Sequence, residues 1–299
     1  MRIAIGGFAG LLGSALVTQL RKEGHEVVTL TRHEPIEPSD RRWDLDTLSI
    51  APPFLDDVDA VINLAGEPIA TGRWTPQQKD RILYSRLDTT RIVTRALESS
   101  ARCKTFLNGS AVGYYGPHGD EWVSESDPAG EGFLADVCRQ WEAAAAEAPD
   151  GVRVVMLRTG QVISPRGGFL AKQRPMARLG LAGRMGSGRQ YLSWISLRDH
   201  VRVMIAALTN PEIVGPINLV APTPVTNAEF ITAYTHYLHR PHLVPLPTPA
   251  VRAVFGSQLV EEALLAGQRV RGGVLERIGF EFDDRTIDSA IDVAERGRS

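Results

Sequence analysis

Apolar residues follow two rhythms along the first half of the chain. Short continuous runs at 2–6, 26–31, 58–64, 104–109 and 153–158 read as buried strands. Between them, apolar positions recur every three to four residues at 11–23, 76–101 and 131–147, the period of helices with one buried face. Strands alternating with helices predict a parallel sheet covered on both faces. The segment 33–57 breaks the rhythm: it is polar and proline-bearing, and holds at most a short strand around 42–45. After Gly160 the texture changes. Glycines and arginines crowd 166–190, then 191–195 reads as a strand and 197–209 as a helix. Turns and prolines fill 210–225, after which Thr226 and Glu229 spell a capping box at a helix start. Prolines at 241, 245, 247 and 249 interrupt the chain before a helical stretch near 257–268.

The junction of the first strand and first helix carries Gly7, Gly10 and Gly13 in a G-x-x-G-x-x-G pattern. Without side chains there, the backbone can turn tightly and lay its N–H groups against a pyrophosphate, beside the positive end of the helix dipole. The strand before, the helix after and the second strand at 26–31 separate this pattern from a plain strand-to-helix turn. The expected fold is therefore α/β, a Rossmann-type doubly wound parallel sheet. Residues 1–160 form the NAD(P)-binding part, and 161–299 a smaller substrate-binding α/β region with segments free to return to the main sheet.

Composition narrows the partners. A chain of 299 residues buries a full core. With a net charge of -2 and scattered Lys and Arg, it offers no electrostatic case for nucleic acid or an anionic membrane. Cys103 and Cys138 are too few and too far apart for a disulfide framework or a zinc site, and no metal is expected. No apolar stretch reaches membrane-spanning length, and the N-terminus enters a strand directly. These features predict a cytoplasmic protein without a signal or transit peptide, acting on a small molecule; a homodimer is compatible with them.

The end of the second strand discriminates the dinucleotides. An acidic residue there would bond the ribose hydroxyls of NAD. Here the strand ends Thr31-Arg32, with no carboxylate before Glu34. An arginine can stack on adenine and pair with a 2′-phosphate, which favours NADP (NADPH) over NAD; a surface arginine closing a strand is the plain alternative. Asn63-Leu64-Ala65-Gly66 then ends a strand run with small residues at the carboxyl edge of the sheet, where ligands bind in such folds.

Taken together, these motifs resemble the extended short-chain dehydrogenase/reductase superfamily, and within it a nucleoside-diphosphate-sugar epimerase subgroup also labelled cell-division-inhibitor-like. The resemblance runs through Asn63-Leu64-Ala65-Gly66-Glu67-Pro68-Ile69, Gly72-Arg73-Trp74, Ser85-Arg86 and Ser110-Ala111-Val112-Gly113-Tyr114-Tyr115-Gly116. It continues through Trp141-Glu142-Ala143-Ala144, Leu157-Arg158-Thr159-Gly160, Gly186-Ser187-Gly188-Arg189-Gln190 and Ser193-Trp194-Ile195. Asn227-Ala228-Glu229-Phe230 and Leu265-Ala266-Gly267-Gln268-Arg269-Val270 extend it over nearly the whole chain. The resemblance implies cofactor contacts from Gly7, Phe8, Ala9, Gly10, Leu11 and Leu12, from Thr31 and Arg32, and from Leu64, Ala65 and Gly66. It also implies Arg81, Arg86 and Gly160; a solvated helix face is the alternative for the two arginines, and for Arg81 an equal one.

One departure weighs more than the matches. Oxidoreductases of the superfamily use a Tyr-x-x-x-Lys pair on one helix face, the lysine lowering the tyrosine pKa. Counting back from Glu142, the tyrosine position is Leu134 and the lysine position Cys138. No other Tyr-x-x-x-Lys exists in the chain. What remains is Ser110 at a strand end and Tyr114 on the loop after it, the candidate catalytic pair; serving a backbone group and lining a pocket wall are their structural uses. Glu67 and Glu121 are further proton carriers, and Glu67 is also a candidate substrate contact. Arg184 and Arg189 lie in a glycine-rich stretch that could clamp an anionic substrate, or could simply form a soluble hairpin. His200, at a helix start, reads as structural.

Two functions fit. One is an NADP-dependent oxidoreductase or epimerase acting on a nucleotide-sugar-like or small carbonyl substrate with a non-standard proton donor. The other is a non-catalytic NADPH-binding sensor or regulatory protein. The glycine- and arginine-rich stretch favours the first, the absent Tyr-x-x-x-Lys the second.

Overall fold

The computed structural model describes residues 1–45, 47, 49–50, 54–241 and 245–297, the side chains of 49 and 50 excepted. Part of the proline-bearing segment, residues 46, 48 and 51–53, thus lies outside the described residues. In chain order the strands are β1 (Arg2–Gly6), β2 (Glu26–Thr31), β3 (Asp40–Asp44), β4 (Ser49–Ile50), β5 (Ala60–Asn63), β6 (Thr105–Ala111) and β7 (Trp122–Val123). They continue with β8 (Arg153–Thr159), β9 (Gln161–Ile163), β10 (Tyr191–Leu192), β11 (Trp194–Ser196), β12 (Gly215–Leu219), β13 (Val225–Thr226) and β14 (Arg269–Val270). The main sheet runs β12-β8-β6-β5-β1-β2-β3-β4, with every pairing parallel except β3 with β4.

Alternation within β1 shows why the sheet is doubly covered. Ile3 and Ile5 point into a core shared with Leu16 and Leu20 of α1 (Leu11–Lys22), whereas Ala4 points into a second core with Ile92 and Val93 of α2 (Pro76–Ser99). The parallel sheet with helices on both faces is the one expected from the alternating pattern. α3 (Phe133–Ala146) packs beside α2, as the apolar period implied.

Beyond residue 160 the sequence reading found fewer elements. The glycine- and arginine-rich stretch contains α4 (Gly168–Arg178), and the run at 191–195 splits into β10 and β11, which join different small sheets. α5 (Leu197–Thr209) and α6 (Asn227–Tyr237) start where expected, the latter with both halves of its capping box formed by Thr226 and Glu229. Then come α7 (Thr248–Phe255), α8 (Ser257–Leu259), a π-helical turn (Val260–Leu265), α9 (Gly273–Arg277) and α10 (Ile287–Glu295). α4, α6 and α10 share a separate small core around Leu170, Phe230, Tyr234 and Ile291. Within the segment read as turns, β12 returns to the main sheet alongside β8. It carries Pro216, which costs no ladder bond on the open side of an edge strand.

Candidate functional site

At the carboxyl end of β1 the chain enters a loop that only glycine fits. Gly7 has φ +76°, and a Cβ there would lie 2.6 Å from the Leu64 carbonyl. A Cβ on Gly13 would lie 2.3 Å from the Gly7 carbonyl oxygen, so loop and helix touch backbone to backbone. α1 begins at Gly10 with no side-chain cap, so its first N–H groups and the positive end of its dipole remain available to a ligand. A cavity of about 340 Å³ opens there, lined by Gly7 to Gly10, Leu30 to His33, and Leu64 to Pro68. Trp43 of β3 forms part of its wall, so close to Gly6 that a Cβ there would be 2.4 Å from the indole.

Asn63 sets the loop that faces the glycines. Its side-chain oxygen accepts from Ala65 N–H at 3.2 Å. Its amide donates to Asn108 at 3.1 Å and to Thr90 at 3.2 Å, all buried. Such a satisfied network fixes Leu64, Ala65 and Gly66 against the cavity.

A second cavity, of about 270 Å³, lies on the other side of Gly66 and Arg86. Its walls include Ile69, Val112, Leu134, Cys138 and Trp141, with Thr159, Gly160 and Gln161 from the end of β8 onwards. The later part of the chain closes it with Tyr191, Ser193, Glu262 and Gln268. The glycine at 160 is required there, since a Cβ would lie 2.3 Å from the Ser193 carbonyl oxygen.

The structure separates the candidate residues. Gly7, Phe8, Ala9, Gly10, Thr31, Arg32, Leu64, Ala65, Gly66 and Glu67 all line the first cavity. Leu11 and Leu12 instead pack against the core through their side chains, and Arg81 is exposed and bonded to Gln78. Arg86 and Gly160 line the second cavity rather than the first. Arg184 and Arg189 are exposed and line neither, so the glycine-rich stretch presents them to solvent.

Ser110 and Tyr114 also line neither cavity. Ser110 Oγ donates to Glu142 Oε1 at 2.6 Å, and Glu142 in turn holds Arg158. The Tyr114 ring lies on the Arg158 guanidinium, 3.6 Å from it. Tyr115 donates to Asn218 at 2.7 Å and accepts from Arg158 at 2.9 Å. Burial pushes the Tyr115 phenol up to about 12, against the pull of the Arg158 charge. These groups form an internal polar core behind the second cavity.

Leu134 and Cys138 do line that cavity, at the positions where the family carries its tyrosine and lysine. Burial, reinforced by the charge of Glu142, pushes the Cys138 thiol up to about 11, so it is a neutral wall residue. The carboxylate present is Glu262, from the π-helical turn, whose Oε2 accepts from the backbone N–H of Leu134 at 3.0 Å. Nothing in the local sequence around Glu262 signals this, because the contact joins segments 128 residues apart. His200 is fully buried, with Nε2 3.0 Å from Thr159 Oγ1, and burial lowers its pKa to about 3. It is a neutral structural group supporting the cavity wall.

Comparison with known proteins agrees with this fold. A profile of the NAD dependent epimerase/dehydratase family matches residues 3–219. The chain belongs to that family. A second profile, for a domain of unknown function, matches residues 246–293, which include the turn carrying Glu262. Epimerase family protein MT2273 of Mycobacterium tuberculosis is 46% identical over 293 residues, covering 98% of this chain and 97% of its own. The crystal structure of human epimerase family protein SDR39U1 with NADPH is similar at a TM-score of 0.91 and 34% identity, covering 99% of each chain. A nucleoside-diphosphate sugar epimerase from Corynebacterium glutamicum is similar at a TM-score of 0.81 and 36% identity, over 98% of this chain and 58% of that one. The family resemblance drawn from the motifs is the one these comparisons give.

Proposed function

We propose that the protein binds NADP(H) in the first cavity and acts in the second as a reductase- or epimerase-type enzyme on a small carbonyl substrate. The observation that carries this reading is Arg32, which closes β2 at the wall of the first cavity with no ion-pair partner among the described residues. An arginine there suits a 2′-phosphate, and the NADPH bound to the human relative supports the same choice. The residues present fit the cofactor. Gly7 and Gly13 allow close backbone approach, the uncapped start of α1 suits the pyrophosphate, and Ala65 and Gly66 keep the way open towards Arg86.

When bound, the nicotinamide supplies or accepts a hydride, and a carbonyl that takes the hydride also takes one proton to become an alcohol. We assign that proton to Glu262, the carboxyl group lining the second cavity, whose wall also carries the Tyr191 phenol. Leu134, Val137 and Trp141 keep the wall apolar and limit water. Gln268 is placed to orient the substrate oxygen, whereas the Ser193 hydroxyl is held by the Gln268 carbonyl and Val270 N–H and that of Thr159 by His200.

A second reading is a cofactor-binding protein without turnover, favoured by Leu134 and Cys138 standing where the proton-transfer pair is expected. One experiment separates the two. NADPH binding is followed by fluorescence, and NADPH oxidation over a panel of carbonyl compounds and nucleotide sugars, in the wild type and in Glu262→Gln. This variant keeps an acceptor oxygen for Leu134 N–H but removes the proton carrier. Turnover in the wild type and its loss in the variant, at unchanged NADPH affinity, is expected. Tight NADPH binding with no turnover on any compound establishes the second reading.

A further inference from the structure

We propose that Arg86 makes the second cavity an anion site, and that its substrate is a small carbonyl compound bearing a carboxylate. Arg86 belongs to α2 and lies across the boundary of the two cavities, its Cζ 3.1 Å from where a Gly66 Cβ would stand. Its Nη1 donates to the carbonyls of Glu67 at 3.0 Å and Ile82 at 2.8 Å, and the guanidinium faces the Trp141 ring at 5.1 Å. These partners are neutral. No carboxylate among the described residues pairs with it, and the Glu67 carboxylate acts on it only from a distance.

The contrast with Arg158 is direct. Arg158, which is buried where Arg86 is half-buried, carries a full carboxylate partner in Glu142. Burial alone lowers the Arg86 pKa without such compensation. A guanidinium is nevertheless charged at any physiological pH. Enclosing it costs free energy unless an anion arrives, and its fork geometry favours a pair of oxygens. Beside it the walls are apolar, from Ile69, Val112, Leu134 and Trp141, which suits a compact body behind the charged end. At about 270 Å³ the cavity has room for a compact acid with its charged end at Arg86.

This inference rests on the proposed function for the reacting carbonyl, but the anion site itself does not depend on the cofactor. The test is therefore calorimetric titration with pyruvate, methyl pyruvate and inorganic phosphate, with and without NADPH. The wild type is expected to bind pyruvate saturably and methyl pyruvate at least about tenfold more weakly, since the ester lacks the charge. Arg86→Gln is expected to weaken pyruvate about tenfold or more, Arg86→Lys less, with NADPH affinity held within about twofold. The ester comparison needs no variant, so it stands even if Arg86→Gln misfolds. Equal binding of acid and ester overturns the proposal, and so does phosphate binding as tightly as pyruvate. A fall in NADPH affinity matching the fall for pyruvate assigns Arg86 to the cofactor and also overturns it. If the wild type takes pyruvate but not NADPH, the cofactor reading fails and the anion site remains.

Discussion

Arg158 and Glu142 meet side by side in the core, Nε to Oε1 and Nη2 to Oε2, both at 2.8 Å. The Arg158 side chain is 3% exposed and that of Glu142 11%. Burial would lower the Arg158 pKa, but the hydrogen bonds and charge of Glu142 outweigh it and raise the value above the ordinary arginine range. Removing one member leaves a buried charge alone. Glu142→Ala is expected to cost about 3–5 kcal/mol of stability, read by urea denaturation.

The same pair decides what Ser110 and Tyr114 do. Ser110→Ala removes one donor to Glu142 and is expected to cost about 1–2 kcal/mol of stability. Tyr114→Phe keeps the ring on Arg158 and is expected to change stability by less than about 0.5 kcal/mol. In both variants kcat/KM on any substrate found should stay within about threefold of wild type, about 0.7 kcal/mol of barrier. A hundredfold loss in kcat with unchanged stability would return the two residues to the reacting centre.

Arg32→Ala is expected to weaken NADPH binding about tenfold or more while NADH binding changes less than about twofold. Fluorescence titration with both cofactors checks it, and equal losses would mean that the arginine meets something the two dinucleotides share.

His200 is expected to make the protein sensitive to acid. Its pKa is lowered to about 3 by burial, so the unfolded state takes a proton at a pH where the folded state does not. Its contribution is fully present above the unfolded pKa of about 6.5 and is lost as pH falls towards about 3. His200→Gln is expected to flatten the fall in urea midpoint across that window, even if it lowers stability at neutral pH. An unchanged slope would place the acid sensitivity elsewhere.

The glycine loop and α1 were legible because both rules involved are local: a special backbone at Gly7 and a 3.6-residue period after it. Leu134 and Cys138 were legible by counting along one helix. β12 was hidden because it has only five residues with a proline among them, and its partner β8 lies some 60 residues earlier. α4 was masked by its glycines and Pro175, and is held by Leu170 and Ala177 in the small core. Ser110 looked free because the residue that occupies it, Glu142, is 32 positions away. Glu262 was invisible for the same reason, on a larger scale.

The two cavities differ in how much of the chain they need. The first takes its lining from residues 7 to 89, whereas the second draws on residues 69 to 268. A chain emerging from the ribosome therefore has the residues that line the first cavity long before those that line the second. Glu262 and Gln268 are among the last of the second cavity's wall residues to be made. A chain stopped before Glu262 would carry every lining residue of the first cavity and lack the carboxylate of the second.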